Sequence, residues 1–228
     1  MRQAYHLMLA LVPFWLAGAP AVHAQTAADP TIYMVRYVEV APGSEAQGAT
    51  LVKKLADTSR KEAGAMRFEV AQRTAPANQF ITFEVWKDQA ALDAHNGAAH
   101  KQFLDAIQSV LIAPVDDRPC TAIDVAPAQT TAAGAIYAIT HVDVAPPNTD
   151  AGIALLKSVA GPSRKEGGNL AFDALQQTAR KNHFEVVEIW GDQKAEDSHE
   201  GNSATKEYRA KVQPLLGAHY DRRWYKQL

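Results

Sequence analysis

IYMVRYVEVAP, residues Ile32 to Pro42, returns as IYAITHVDVAP, residues Ile136 to Pro146, and this recurrence decides the fold. Slid by 104 positions, the chain matches itself without a gap from Ile32 to Gly97, with 29 identities in 66 pairs. SRKEAG (Ser59 to Gly64) lies over SRKEGG (Ser163 to Gly168). NQFITFEVWKDQAALDAH (Asn78 to His95) lies over NHFEVVEIWGDQKAEDSH (Asn182 to His199). Solenoids stack at least about three short repeats. Two long copies instead mean two similar domains, spanning residues 32–124 and 136–228.

Within one copy, Ile32 to Val40 is rich in β-branched and aromatic residues and runs into Ala41-Pro42-Gly43, a strand ending in a turn. Ser44 is placed to cap a helix carrying Leu51, Val52 and Leu55 and ending near Gly64. Met66 to Gln72 alternates Met66, Phe68 and Val70 against Arg67, Glu69 and Ala71, the pattern of a half-buried strand. A turn at Ala75 to Asn78 leads to a strand over Phe80 to Trp86. Asp88 caps a helix through His95, Asn96-Gly97 interrupts it, and a second segment carries Phe103, Ile107 and Leu111. Arg118 to Asp124 closes as a fourth strand. The order β-α-β-β-α-β is the ferredoxin-like split unit. Two helices cover one face of such a sheet, so the bare face needs a partner. With both copies in one chain that pairing is intramolecular. The expected fold class is α+β: two pseudo-symmetric halves forming one barrel.

The flanks differ from the repeats. Arg2, the apolar run LMLALVPFWL (Leu7 to Leu16) and small residues up to Ala24 form a signal-peptide pattern, with cleavage expected after Ala24. The run is too short to span a bilayer comfortably. Residues 25–31 are a lead-in, and Val125 to Ala135 is small, Pro-containing and uncharged, a linker. A periplasmic or secreted protein with no membrane association after cleavage is expected. Its single cysteine, Cys120, allows no intramolecular disulfide and reads as a small buried strand residue. A formal charge of −2 provides no basic stripe, so nucleic acid is not an expected partner.

VAPGSEAQ, SRKEAGAMRFEV, NQFITFEVWKDQAALDAH and the following HKQF together resemble the antibiotic biosynthesis monooxygenase domain. The resemblance covers essentially all of the first copy and weakens in the last helix of the second. It implies a dimeric α+β barrel with pockets between sheet and helices of each unit. It also implies oxidation of electron-rich aromatics, such as quinols or anthrones, by O2 without flavin or metal. The expected partners are therefore a small aromatic substrate and O2, with no cofactor; further homo-oligomers are compatible with it.

That chemistry needs an apolar pocket for a flat substrate and a group to take its proton. His95 and His199 are the candidate catalytic groups, because a histidine titrates near working pH. Trp86 and Trp190 each offer a flat face and an N–H donor. The bland readings are a packed core aromatic and a histidine bonded to a backbone carbonyl at a helix end. Glu84 and Glu188 share the tryptophan's side of their strand and are candidate substrate-binding groups, or else a rim salt bridge. Arg36 and His141 join them as candidates because the first strands diverge, with Met34, Arg36 and Tyr37 set against Ala138, Thr140 and His141. Arg60, Lys61 and Glu62 read as a solvated helix end. His100 has no counterpart at the same offset, where Ala204 stands. No metal site is expected: H-x3-H and H-E-x2-H spacings are absent. Two alternatives stay open. One is haem degradation, although its branch of the family uses an Asn that both first strands lack. The other is a barrel that binds ligand without chemistry.

Overall fold

The computed structural model describes residues 29–127 and 134–228; residues 1–24 of the expected signal peptide and most of the expected linker lie outside that range. The first half runs β1 (Ile32–Glu39), α1 (Glu45–Ser59), β2 (Ala65–Arg73), β3 (Gln79–Trp86), α2 (Gln89–Gly97), α3 (Ala99–Ile107) and β4 (Asp116–Asp124). The second repeats it with β5 (Ile136–Asp143), α4 (Thr149–Ser163), β6 (Asn169–Gln177), β7 (His183–Trp190), α5 (Gln193–Gly201), α6 (Ser203–Val212) and β8 (Asp221–Gln227).

The eight strands close into one barrel in the order β1-β3-β2-β8-β5-β7-β6-β4. Each half contributes a ferredoxin-like sheet, and the edges join at two antiparallel seams. Ala71 to Arg73 pair with Gln227 to Tyr225, and Cys120 to Asp124 pair with Gln177 to Ala174. Closure satisfies the backbone groups that free sheet edges would expose.

Period-two alternation then sorts side chains between two environments. Tyr33, Val35, Ile81, Phe83, Tyr137, Ile139, Val187 and Ile189 fill the barrel lumen. Met34, Val38, Phe80 and Trp86 face outward, beneath the helices of the first half. Val142, Phe184 and Val186 do the same in the second. Gly48 and Gly152 recur because the helices α1 and α4 lie hard against the sheet: a Cβ would stand 2.7 Å from the Phe80 ring and 2.8 Å from that of Phe184.

Local expectations change in four places. Ser44 makes no side-chain cap bond; instead Glu45 Oε1 accepts from the Gly43 amide at 3.0 Å. The helix α1 stops at Ser59, and a turn with Gly64 at φ +87° completes the connection. β2 is covered on both faces by lumen and helices, and a register shift between Ala65 and Arg67 leaves Met66 exposed. Leu111 lies past the end of α3, bridged to Val40.

Candidate functional site

Each half builds a polar cluster on the helix-facing side of its sheet. In the first, Glu84 is fully buried and accepts from Thr82 Oγ1 at 2.7 Å, Arg36 Nε at 2.9 Å and Trp86 Nε1 at 2.9 Å. Arg36 is itself 1% exposed, and also donates to Asn96 Oδ1 at 2.6 Å and Asp117 Oδ2 at 2.7 Å. The His95 ring lies against Trp86, centroids 4.6 Å apart. Its Nδ1 donates to Glu62 Oε2 at 2.6 Å, and its Nε2 stands 3.7 Å from Glu84 Oε2 without a hydrogen bond. A buried charge is tolerable when paired and fully hydrogen-bonded, and Arg36 meets both conditions.

His100 sits on the far side of Arg36, its ring nitrogens 3.2 and 3.4 Å from Nη1. Burial and the neighbouring guanidinium lower its pKa to about 4. It is therefore a neutral imidazole at any ordinary pH, able to donate one hydrogen bond and accept another.

His100 and Asp117 form the polar end of a cavity of about 630 Å³, whose walls include Leu104, Leu111, Ile112 and Val115. That volume lies within the range of small-molecule sites, roughly 300–1,000 Å³. Its lining is mostly apolar, with Asp105 and Gln108 of the α3 side also bordering it, a mixture that is typical of them. His95, Trp86, Glu84 and Arg36 stand behind this end as a buried support.

The second half keeps the core of the arrangement with little open space beside it. Trp190 Nε1 donates to Glu188 Oε2 at 3.1 Å, and the His199 ring lies 4.6 Å from that of Trp190. His199 contacts Glu166 at 3.2 Å and Glu188 at 3.3 Å. The cavity beside His199 and Thr205 has only about 10 Å³, with Tyr208, Arg209, Tyr220 and Arg222 among the lining residues. This is about the space of one water molecule.

The cationic partner has also changed strand. Thr140 stands at the Arg36 position, and Arg222 of β8 reaches across it to Glu188, bonding both carboxylate oxygens. Burial raises the Glu188 pKa, but the charge and hydrogen bonds of Arg222 more than offset it, so the carboxyl stays below its ordinary range. Arg222 faces Thr140 in the sheet as Asp117 faces Arg36.

This exchange was hidden by the constant offset of 104. In the last helix, buried His100, Phe103 and Ile107 correspond to buried Thr205, Tyr208 and Val212, each 105 residues later. One extra residue follows α5. The counterpart of His100 is thus Thr205, which contacts His199 at 3.3 Å, and not Ala204.

The candidates named from sequence fall into three places. His95, Trp86, Glu84 and Arg36 cluster in the first half; His199, Trp190 and Glu188 cluster in the second. His141 belongs to neither: it follows Thr140 by one position, so the pleat turns it into the end of the lumen, where it meets Glu185 at 2.9 Å. Glu84 and Glu188 are buried anchors and not rim groups. The helix-end triplets are only partly solvated, since Arg60 and Arg164 donate to the Phe68 and Phe172 carbonyls and Glu62 and Glu166 hold the histidines. Cys120 is buried, and burial pushes its thiol pKa up, away from reactivity. Among the described residues no helix is long and apolar enough to cross a membrane.

Comparison with known proteins agrees with this architecture. The sequence profile described as Antibiotic biosynthesis monooxygenase matches residues 31–107 and again 135–211. A Bacillus subtilis (strain 168) protein named "Putative monooxygenase YcnE" is 31% identical over 86 residues, which are 37% of this chain and 90% of that protein. Two solved structures share the whole barrel at low identity. The protein FN1347 of Fusobacterium nucleatum superposes with TM-score 0.79 at 17% identity, covering 87% of this chain and 92% of its own. A protein described as anthrone oxidase-like gives TM-score 0.68 at 12% identity, covering 88% and 92%. Matched by the family profile over both of its halves, the chain belongs to the antibiotic biosynthesis monooxygenase family, with two copies of the domain joined in one barrel.

Proposed function

We propose that the first half is an oxygenase site that oxidises a quinol or polyphenol-type aromatic with O2 and no bound cofactor. The observation that carries this reading is the open, mostly apolar cavity of about 630 Å³ in which His100 and Asp117 lie beside the buried Arg36. A phenolic ring fits between Leu104, Leu111, Ile112 and Val115, with its hydroxyl directed to His100 and Asp117. The Asp117 carboxylate accepts the hydroxyl hydrogen, and His100, held neutral, donates a hydrogen bond to the substrate oxygen. The developing phenolate lies close to the Arg36 guanidinium, whose charge favours it. An electron-rich ring then passes electrons to O2; one oxygen atom enters the ring and the other leaves as water with two substrate hydrogens. Family membership supports the reaction class, and the cavity supports a single working half.

The test is oxygen uptake with a panel of hydroquinones and hydroxylated naphthalenes. Turnover is expected for at least one of them. Asp117→Asn is expected to lower it by about 100-fold, in the range of one lost acid–base group. No uptake with any member, or unchanged uptake in Asp117→Asn, would remove the assignment. The second half fits the non-catalytic reading, because its cavity is filled by side chains.

Export completes the proposal. The pattern Arg2, Leu7 to Leu16 and Ala24 supports a mature protein beginning at Gln25 in the periplasm or medium. Intact mass of the protein recovered outside the cytoplasm is expected to match residues 25–228; a full-length cytoplasmic product would contradict it.

A further inference from the structure

The cluster that received His141 has a chemistry of its own. At one end of the lumen, His141 and Asp143 of β5 face His183 and Glu185 of β7 in direct register, His141 opposite Glu185 and Asp143 opposite His183. His141 Nε2 stands 3.2 Å from His183 Nδ1, and His183 Nε2 stands 3.4 Å from Asp143 Oδ1. One ligating atom from each of His141, Asp143 and His183 falls within 4.8 Å of the others. We infer that these three residues bind a single zinc-class divalent ion, with the fourth position open to water.

Three features favour this donor set. Zinc bonds nitrogen or carboxylate oxygen at about 2.0–2.1 Å, so neighbouring ligands of a tetrahedral site lie about 3.3–3.4 Å apart. The His141–His183 nitrogen separation of 3.2 Å is already close to that edge, and small rotamer changes bring the Asp143 oxygen into place. Next, the other ring nitrogen of His141 donates to Glu185 Oε1 at 2.9 Å. A carboxylate behind the distal nitrogen fixes the tautomer and leaves Nε2 as the ligand, the usual support of a metal-bound histidine. Glu185 is itself committed to that supporting role, since it also accepts from Arg118 at 2.7 Å, Gln177 at 2.9 Å and Tyr37 at 3.0 Å. Asn182 similarly orients Asp143 from 3.2 Å. Lastly, the side chains are partly exposed, at 18%, 20% and 12% for His141, Asp143 and His183, so an ion has a path in.

Arg118 and Arg180 are the cations that act on His183, and Arg118 is neutralised by Glu185 and by Asp116, each at 2.7 Å. The matching positions of the first half are Tyr37, Glu39 and Gln79, which retain one carboxylate and no imidazole. The site therefore belongs to one half alone. Spacing along the chain gave no hint of it, because His141 and His183 are brought together by strand pairing across 42 residues.

The experiment uses untagged protein freed of metal with a chelator, titrated with Zn²⁺ by calorimetry and with Co²⁺ by visible absorption. One ion per chain is expected, with Kd on the order of 1 μM or below, and a Co²⁺ spectrum of four-coordinate intensity. His183→Gln installs the residue that the first half carries at the same place, and should weaken binding at least about tenfold. Asp143→Asn, which keeps size and shape, should do likewise, while His219→Gln should bind as the parent does. Circular dichroism of each variant in chelator confirms the fold. No binding of Zn²⁺ at about 100 μM, or unchanged affinity in both His183→Gln and Asp143→Asn, overturns the inference.

Discussion

Glu84→Leu is expected to destabilise the protein by about 3–5 kcal/mol, the cost of breaking a buried ion pair from one side. The substitution removes the acceptor for Arg36, Thr82 and Trp86 at once. It leaves Arg36 at 1% exposure with only the partly solvated Asp117 as counter-charge. For a chain of this size the loss corresponds to a fall in Tm of about 6–20 °C. The double variant Glu84→Leu with Arg36→Met should recover most of that loss, because removing both charges leaves no uncompensated group. Glu188→Leu should cost less than Glu84→Leu, since Arg222 keeps Glu196 and Glu200, each at 3.1 Å. Thermal unfolding of the three variants beside the parent decides the matter. Equal losses for Glu84→Leu and Glu188→Leu, or no recovery in the double variant, would show that charge pairing does not govern the cluster.

The second large effect concerns space. Leu104→Trp places an indole in the chamber of the first half and should reduce kcat/KM for the best substrate by at least about 100-fold, some 2.7 kcal/mol of transition-state stabilisation. Its fold should persist, since Leu104 stands at the cavity wall and not within the closed core. His199→Ala, in the filled half, should leave kcat/KM within about twofold. The two results together separate a single working chamber from a pair. Turnover that survives Leu104→Trp and falls in His199→Ala would place the chemistry in the other half.

Much of the architecture was legible in the sequence because the repeat, the alternating strands and the capping Asp88 are local signals. Asp88 does accept from the Ala91 amide at 2.8 Å, and its counterpart Asp192 accepts from Ala195 at 2.8 Å. The exact ends were less legible. Met66 continued an alternating pattern, but the irregularity at Ala65 turned it to solvent. At the site, Glu84, Trp86 and His95 were readable as a unit from their spacing on one strand face and the next helix. Arg222 was not, because it replaces Arg36 from a strand about 80 residues away. His141 was misplaced for a simpler reason: it is adjacent to the counterpart of Arg36, and adjacent residues on a strand point opposite ways. The filled space of the second half was not legible, because the one-residue shift after α5 concealed that Tyr208 stands at the Phe103 position.

Fusion of the two copies has a genetic consequence. In a barrel assembled from two identical chains, every substitution arrives twice, and a side chain that closes one chamber closes both. Here an altered codon acts on one chamber only. The C-terminal copy carries Tyr208, Arg209 and Tyr220 around a cavity of only about 10 Å³, while its strands β6 and β8 complete the sheet around the N-terminal copy. Likewise two imidazoles, His141 and His183, stand at one end of the lumen where the other copy has Tyr37 and Gln79. A change in one half of such a chain leaves the other half's side chains as they were, while both halves remain bound together as one structure.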